Sequence, residues 1–248
     1  MVGVVAFWLL MNGALLRFWI FPMENRMLSL PVEHVFRQMF VHEQLSELVI
    51  RQGNEPVGNL TLQPRHSGAD EEEEALYGLD FSGHLLLSLP FTQQQPFNWH
   101  GTLEITPRLK LRRLRLQVEA SLPGVLFDLE IDPERREAAY TLRQKGEEPV
   151  EAAVPLTAEG LEEIAARLGL DPAVLAQLTA GFRGGGGGGE PPALRARHAR
   201  VTIHGEPVQA FNLSLRHGQT MLAEMDLSTL GRVLAVRTAL GFTLASQE

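Results

Sequence analysis

Gly53-Asn54-Glu55-Pro56-Val57, Gly146-Glu147-Glu148-Pro149-Val150 and, one residue shorter, Gly205-Glu206-Pro207-Val208 are three versions of one phrase. Each follows a run of alternating apolar residues and precedes another. The first and last copies match beyond the turn. Leu48-Val49-Ile50 and Val201-Thr202-Ile203 lie before it, Asn59-Leu60-Thr61-Leu62 and Asn212-Leu213-Ser214-Leu215 after it. Glycine supplies a positive φ, and proline then restarts an extended chain at a strand's first residue, where the missing N–H is tolerated. The phrase predicts three β-hairpin tips on one large antiparallel sheet. The first hairpin is expected over Glu47–Gln52 and Val57–Gln63, the second over Glu137–Gln144 and Val150–Val154.

Between the first two copies the alternation is nearly continuous. Leu85, Leu87 and Leu89 alternate, Gln93–Gln95 and Pro96 form a turn, and Trp99 to Ile105 is extended. In Arg108–Leu116 the basic residues are even-numbered up to Arg112 and odd-numbered from Arg113, and the apolar residues flip the other way. A strand has period two, so the change of parity needs one inserted residue: a β-bulge at Arg112–Arg113. The strand runs to Ala120 and turns at Pro123-Gly124. A two-residue turn there sets Leu122 against Val125, Leu116 against Ile131, Val118 against Leu129, Ala120 against Phe127 and Arg115 against Asp132. It also opposes Glu119 to Asp128, a like-charge cost of up to ~1 kcal/mol, and a slip by two is the alternative. The arginine stripe reads as a solvated sheet face neutralised by Asp128, Glu130 and Asp132 rather than as an anion-binding strand. After the third hairpin, strands are expected at Thr220–Asp226, Arg232–Thr238 and Phe242–Ala245, with turns at Ser228–Gly231 and Leu240–Gly241. These complete the same curved sheet; an independent second domain is the alternative.

Helices interrupt this pattern in two places. Pro31 opens one, with Ser29 upstream. Val32, Val35, Phe36, Met39 and Phe40 recur at helical spacing, and Glu33, His34, Arg37 and Gln38 fill the other side. This amphipathic helix needs a partner for its apolar stripe, and the concave face of the sheet is the natural one. Further on, Thr157 reads as an N-cap for a helix with Leu161, Ile164, Ala165 and Leu168 on one face. Asp171-Pro172 starts a second, with Val174, Leu175 and Leu178. The pair carries Glu159, Glu162, Glu163 and Asp171 against Arg167, which argues against a DNA-reading helix-turn-helix. Gly184 to Gly189 follow, and residues 183–192 read as a flexible loop inside the domain. No Lys-Ser/Thr follows to make it a phosphate loop.

Val2 to Phe21 is almost continuously apolar and long enough to span a bilayer as a helix. Asn12 and Arg17 interrupt it, Arg17 near enough to the interface to snorkel, and Trp8 and Trp19 suit the two interfaces. Residues 1–22 read as an uncleaved signal anchor. A cleaved signal peptide fits less well, because there is no basic n-region and no clear small-x-small cleavage site; a buried soluble helix is the third reading. Residues 23–248 are then one β-rich domain, expected in the periplasm, with the chain a single-pass protein of the bacterial inner membrane.

The net charge of −8 argues against broad nucleic-acid binding. No cysteine is present, so disulfides, thiol catalysis and cysteine-ligated metals are excluded. No motif for hydrolysis or metal binding occurs among the eight histidines. His34 and His42 are two helical turns apart, and His198 and His204 share a strand face with polar neighbours. Asp70–Glu74 reads as a solvated loop without the spaced ligands of a calcium site. Asn59-Leu-Thr and Asn212-Leu-Ser match the glycosylation pattern but fall inside strands. No catalytic, cofactor or metal residue is expected, and no enzyme.

The meander of strands, the helical insertion and the anchor resemble bacterial envelope half-barrels, such as the lipoprotein carriers LolA and LolB. The resemblance is one of architecture over residues 31–248, and the lipid-anchor cysteine of LolB is missing. It implies a mainly β (α+β) fold: a curved antiparallel sheet or partly open β-barrel with a helical lid. It also implies a lipid or other apolar ligand in a groove lined by Val32, Phe36, Met39 and Phe40. The alternative is a non-catalytic accessory subunit docking on a larger membrane protein complex, with Asn12 and Arg17 facing protein inside the membrane.

Overall fold

The computed structural model describes residues 30–67, 76–87, 95–120, 124–157, 160, 163–164, 193–203, 205–217, 220–239 and 241–246. The first strands are β1 (Ser46–Gln52), β2 (Glu55–Ser67), β3 (Leu76–Leu87), β4 (Gln95–Ile105) and β5 (Leu111–Ala120). They are followed by β6 (Val125–Asp132), β7 (Glu137–Gln144) and β8 (Val150–Pro155). After residues 156–192 come β9 (Ala193–Ile203), β10 (Glu206–His217), β11 (Thr220–Ser228), β12 (Val233–Thr238) and β13 (Phe242–Ser246). All thirteen belong to one antiparallel sheet of order β8-β7-β6-β5-β4-β3-β2-β1-β13-β12-β11-β10-β9. Strands 193–246 are thus continuous with the rest, joined through β13 to β1. The rim that holds the β1–β2 turn is called upper below, the rim that holds the β4–β5 turn lower.

Helix α1 (Val32–His42) runs down the concave side from near the upper rim. Its start is tied to β9 by the Leu30 amide, which donates to the Ala196 carbonyl at 2.9 Å. Its end is tied to β2. Glu43 adopts a left-handed conformation at φ 48°. The Glu43 carboxylate accepts from the His66 amide at 2.7 Å, and its carbonyl from Gln63 Nε2 at 3.2 Å. β2 and β9 are separated by five strands in the sheet, so one helix touching both requires the sheet to curl around it.

All three glycine–proline phrases lie at hairpin tips, but they are not equivalent. Gln52 faces Glu55, so Gly53, at φ 62°, is the first residue of a two-residue turn. Ile203 faces Glu206, so Gly205, at φ 81°, is the last. Proline is the second strand residue in both cases, not the first as expected. Pro56 and Pro207 tolerate the loss of an N–H because β3 and β11 begin pairing only at Gly58 and Ala210. The second tip is looser, with Leu142 facing Val150. The first two tips lie on the upper rim and the third on the lower.

The bulge forms where parity required it: Glu104 faces Arg113 and Ile105 faces Leu111, leaving Arg112 extra. The β5–β6 register differs from the two-residue expectation by two. Leu116 faces Leu129, Val118 faces Phe127 and Ala120 faces Val125. The slip keeps every apolar side chain on its face and removes the Glu119–Asp128 opposition. Asp128 instead accepts from Gln117 Nε2, and Glu130 meets Arg113 at 3.1 Å and Arg115 at 3.6 Å.

Glycine and aromatic residues alternate across β3 and β4. Gly83 lies directly opposite Trp99, and Gly101 directly opposite Phe81. A Cβ at Gly83 would meet the Trp99 ring at 2.5 Å, and one at Gly101 would run into the Phe81 ring and the Arg115 carbonyl. Each ring folds over the backbone that its partner leaves bare, which lets the strands bend inward. Gly101→Ala is therefore expected to lower the unfolding free energy by about 1–3 kcal/mol, the range for overpacking. Gly78→Ala, whose Cβ would have ordinary contacts with Arg65, should cost less. Urea melts of the two variants check the difference.

Candidate functional site

The concave face is the natural place to look for a site, because the aromatic side chains converge there. Helical periodicity turns Val35, Phe36, Met39 and Phe40 of α1 toward the sheet, where each is 5% exposed or less. Phe40 stacks on Tyr77 of β3, ring centroids 4.9 Å apart and planes 6° from parallel. Phe127 and Tyr140 pair at 6.1 Å farther along the sheet. Gly231, in the β11–β12 turn at φ 79°, packs so closely on the backbone of Gln38 and Met39 that a Cβ would not fit. Of the four residues expected to line a groove, Phe36, Met39 and Phe40 are buried and Val32 is half-buried. Thr157 Oγ1 accepts from the Gly160 amide at 3.2 Å, as an N-cap does, and Ile164 reaches the core.

The convex face holds a feature that the sequence did not disclose. Asn212 and Asp226 are 3% and 2% exposed, yet they point away from the apolar core. Asn212 Nδ2 donates to Asp226 Oδ1 at 2.7 Å and to Glu224 Oε1 at 3.0 Å, and its Oδ1 accepts from Arg197 Nε at 3.0 Å. Arg237 closes the far side, 2.9 Å from Asp226 Oδ2 and 3.3 Å from Glu224 Oε2. Four strands, β9 to β12, each supply a member. The network balances two arginines against two carboxylates and uses both amide donors of Asn212, so it acts as a register clasp. The only signal was Asn212 within the matched hairpins. Its counterpart Asn59 also bonds across strands, accepting from the His84 amide at 3.3 Å.

Trp8, Asn12, Arg17 and Trp19 lie outside the described residues, as do the acidic run 70–74, the helix expected after Asp171 and the glycine loop 183–192. Among the described residues no helix is long and apolar enough to cross a membrane. Nor does any cluster of three His, Cys, Asp or Glu side chains have the spacing to hold a metal. His198 packs against Phe211 at 5.5 Å and His66 against Tyr77 at 5.3 Å.

No family model matches the chain, and no curated protein matches it. Among solved structures it is similar to a beta-barrel-like protein of domain of unknown function DUF1849 from Brucella abortus. Identity is 9% and the TM-score 0.40, over 82% of this chain and 93% of that one.

The clasp sets an expectation for stability. Asn212→Leu would leave Asp226 and Glu224 facing an apolar side chain at a buried position, a loss of about 2–3 kcal/mol. Arg65→Ala, which removes an exposed partner of Asp80, should change stability by ~0.5 kcal/mol or less. Chemical denaturation of both variants measures the contrast.

Proposed function

We propose that this chain is a non-catalytic accessory subunit of the bacterial envelope. Residues 1–22 hold it in the inner membrane, and its β body, in the periplasm, docks on a larger membrane protein complex. The observation that supports this reading is the occupancy of the concave face beneath α1. A carrier of the LolA or LolB kind needs an apolar groove free for an acyl chain. Here Phe36, Met39 and Phe40 fill that position, and Gly231 and Glu43 lock the helix at its lower end. Among the described residues the space beneath α1 is filled by apolar packing.

A second reading, a carrier for a lipid or other apolar ligand, draws support from the extent of the apolar face. The main strand contacts of α1 are with β2 and β9, whereas Trp99, Phe127 and Tyr140 lie on strands farther away. In that case α1 would be a lid.

Two measurements separate the readings. Phe40→Ala should cost about 3–5 kcal/mol if α1 is permanent core, and far less if it is a lid that leaves readily. Lipid extraction of the purified full chain, after exchange into a mild detergent, should yield no lipid in fixed proportion. One molecule of a single lipid class per chain, together with a tolerated Phe40→Ala, would favour the carrier and remove the accessory reading.

A further inference from the structure

Among the described residues, the three most exposed large apolar side chains come from three separate segments that meet at the lower rim. Leu230 is 56% exposed, Val41 52% and Leu45 46%. Two contacts bring the segments together. Gly231, next to Leu230, abuts the backbone of Gln38 and Met39, and Met39 is two residues before Val41. Ser46, next to Leu45, accepts through Oγ from the Val233 amide at 2.9 Å, and Val233 is three residues after Leu230. Two residues of chain reach no farther than about 7 Å and three no farther than about 11 Å, so the side chains form one patch. The next most exposed, Leu86, Val150 and Met221, stand on β3, β8 and β11, with four strands between each and the next.

Folding does not call for apolar residues at these places. Leu230 sits in a tight turn, in which the Gly231 amide donates to the Ser228 carbonyl at 2.9 Å and the Ser228 amide to the Arg232 carbonyl at 2.8 Å. Such turns favour Asn, Asp, Ser or Gly, for reasons of backbone geometry that leucine does not serve. Val41 lies on the solvent side of α1, where its branched Cβ lowers helix propensity. Leu45 lies between Gln44 and Ser46, both already held by hydrogen bonds. Contiguous apolar surface of this kind marks a place of contact with another molecule.

Charge at the edge of the patch narrows what that molecule is. Arg37 lies one helical turn before Val41 and Arg232 two residues after Leu230, both exposed. Neither forms an ion pair among the described residues, and Arg232 donates to Ser246 Oγ at 2.8 Å. The nearby acids are turned elsewhere. The Glu43 carboxylate accepts from the His66 amide on β2, and Glu47 stands opposite Thr61 on the convex face. The patch is therefore apolar at its centre and positive at its edge. An anionic bilayer is a poor occupant for a chain of net charge −8. A second copy docked patch to patch would set Arg37 and Arg232 against their own counterparts.

We propose that this patch is the docking site for a segment of a partner protein that carries apolar side chains between acidic ones. Leu230, Val41 and Leu45 supply the buried contact, and Arg37 and Arg232 pair with the partner's acids around it. This rests on the accessory-subunit reading and deepens it, by giving the surface that docks and the chemistry of what it meets.

Photo-crosslinking of the full chain in the cells that make it tests the site. Benzoylphenylalanine replaces Leu230, Val41 or, as a control, Leu86, and the linked peptides are sequenced by mass spectrometry. The expected result is one protein adduct, several-fold stronger at 230 and 41 than at 86, whose linked segment has apolar residues flanked by Asp or Glu. Arg37→Glu combined with Arg232→Glu should weaken the adduct several-fold, and Arg108→Glu on the same rim should not. An adduct with a second copy, an adduct with lipid alone, equal yields at 230 and 86, or indifference to the double reversal overturns the docking site. Urea melts add a check that needs no partner. Leu230→Asn and Val41→Gln should leave the midpoint in place; a lowered midpoint means that these side chains serve the fold, and the site falls. Sizing in mild detergent separates the two kinds of failure. A chain that migrates alone and links to no protein at any position overturns the accessory reading and the site with it, whereas a large complex linked only through other positions overturns the site alone.

Discussion

β1 is hydrogen-bonded along both edges, and the rest of the sheet depends on that. Leu48, Val49 and Ile50 pair with Leu60, Asn59 and Gly58 on one side and with Ser246, Ala245 and Leu244 on the other. Every other ladder joins strands adjacent in sequence. The β1–β13 ladder alone brings the two ends of the domain together, and Ser46 Oγ reinforces it by accepting from the buried Val233 amide across 187 residues at 2.9 Å. Closing a loop of that length costs roughly 5 kcal/mol in chain entropy. Burial of Leu48, Ile50, Leu244 and Val233 offsets it, since each such side chain contributes about 1.5–3 kcal/mol when removed from water. The hairpins can form early from local contacts, but the β1–β13 seam has to wait for both halves.

Once joined, a sheet this wide can bury its apolar face only by curling. The curl is local. Gly58, Gly83 and Gly101 fall on neighbouring strands where a Cβ would strike the adjacent backbone or an aromatic ring. Trp99 and Phe81 fill the space those glycines leave. Bending brings β2 and β9 within reach of a helix of only eleven residues, so α1 completes a core whose walls have already turned inward.

This division explains what the amino-acid sequence revealed. Period-two alternation exposed the strands, and its interruption at Arg112–Arg113 exposed the bulge, because parity is a property of one strand read alone. The helix at Val32–His42 was legible for the same reason, its stripe being complete within one turn pattern. Register was not. Pro123-Gly124 marks a turn without stating its length, and the choice fell to the partners across it, Gln117 for Asp128 in place of Glu119. Gly53 and Gly205 belong to nearly the same phrase yet occupy different turn positions at opposite rims. The glycine–aromatic pairs and the Asn212 clasp were hidden too, since each is defined only when strands distant in sequence are aligned. As for the candidate site, Phe36, Met39 and Phe40 were readable as an apolar face; how completely the sheet would enclose them was not.

Among the described residues, β8 and β9 are the two edges of the sheet, and they carry the last constraint. β8 and β9 both run from the upper rim to the lower, so no hairpin could join them. Exposed sheet edges invite pairing with other chains. Each is guarded differently. β8 is short, ends at Pro155 and is flanked by Glu147, Glu148 and Glu151. β9 carries Arg195, Arg197 and Arg200, and near its upper end Leu30 already occupies its free side. The residue that blunts the edge is thus the residue that delivers the chain to α1. One backbone hydrogen bond, from Leu30 to Ala196, both covers part of the β9 edge and holds the chain where the helix begins at the next residues. The approach of Leu30 to α1 is therefore built into the fold.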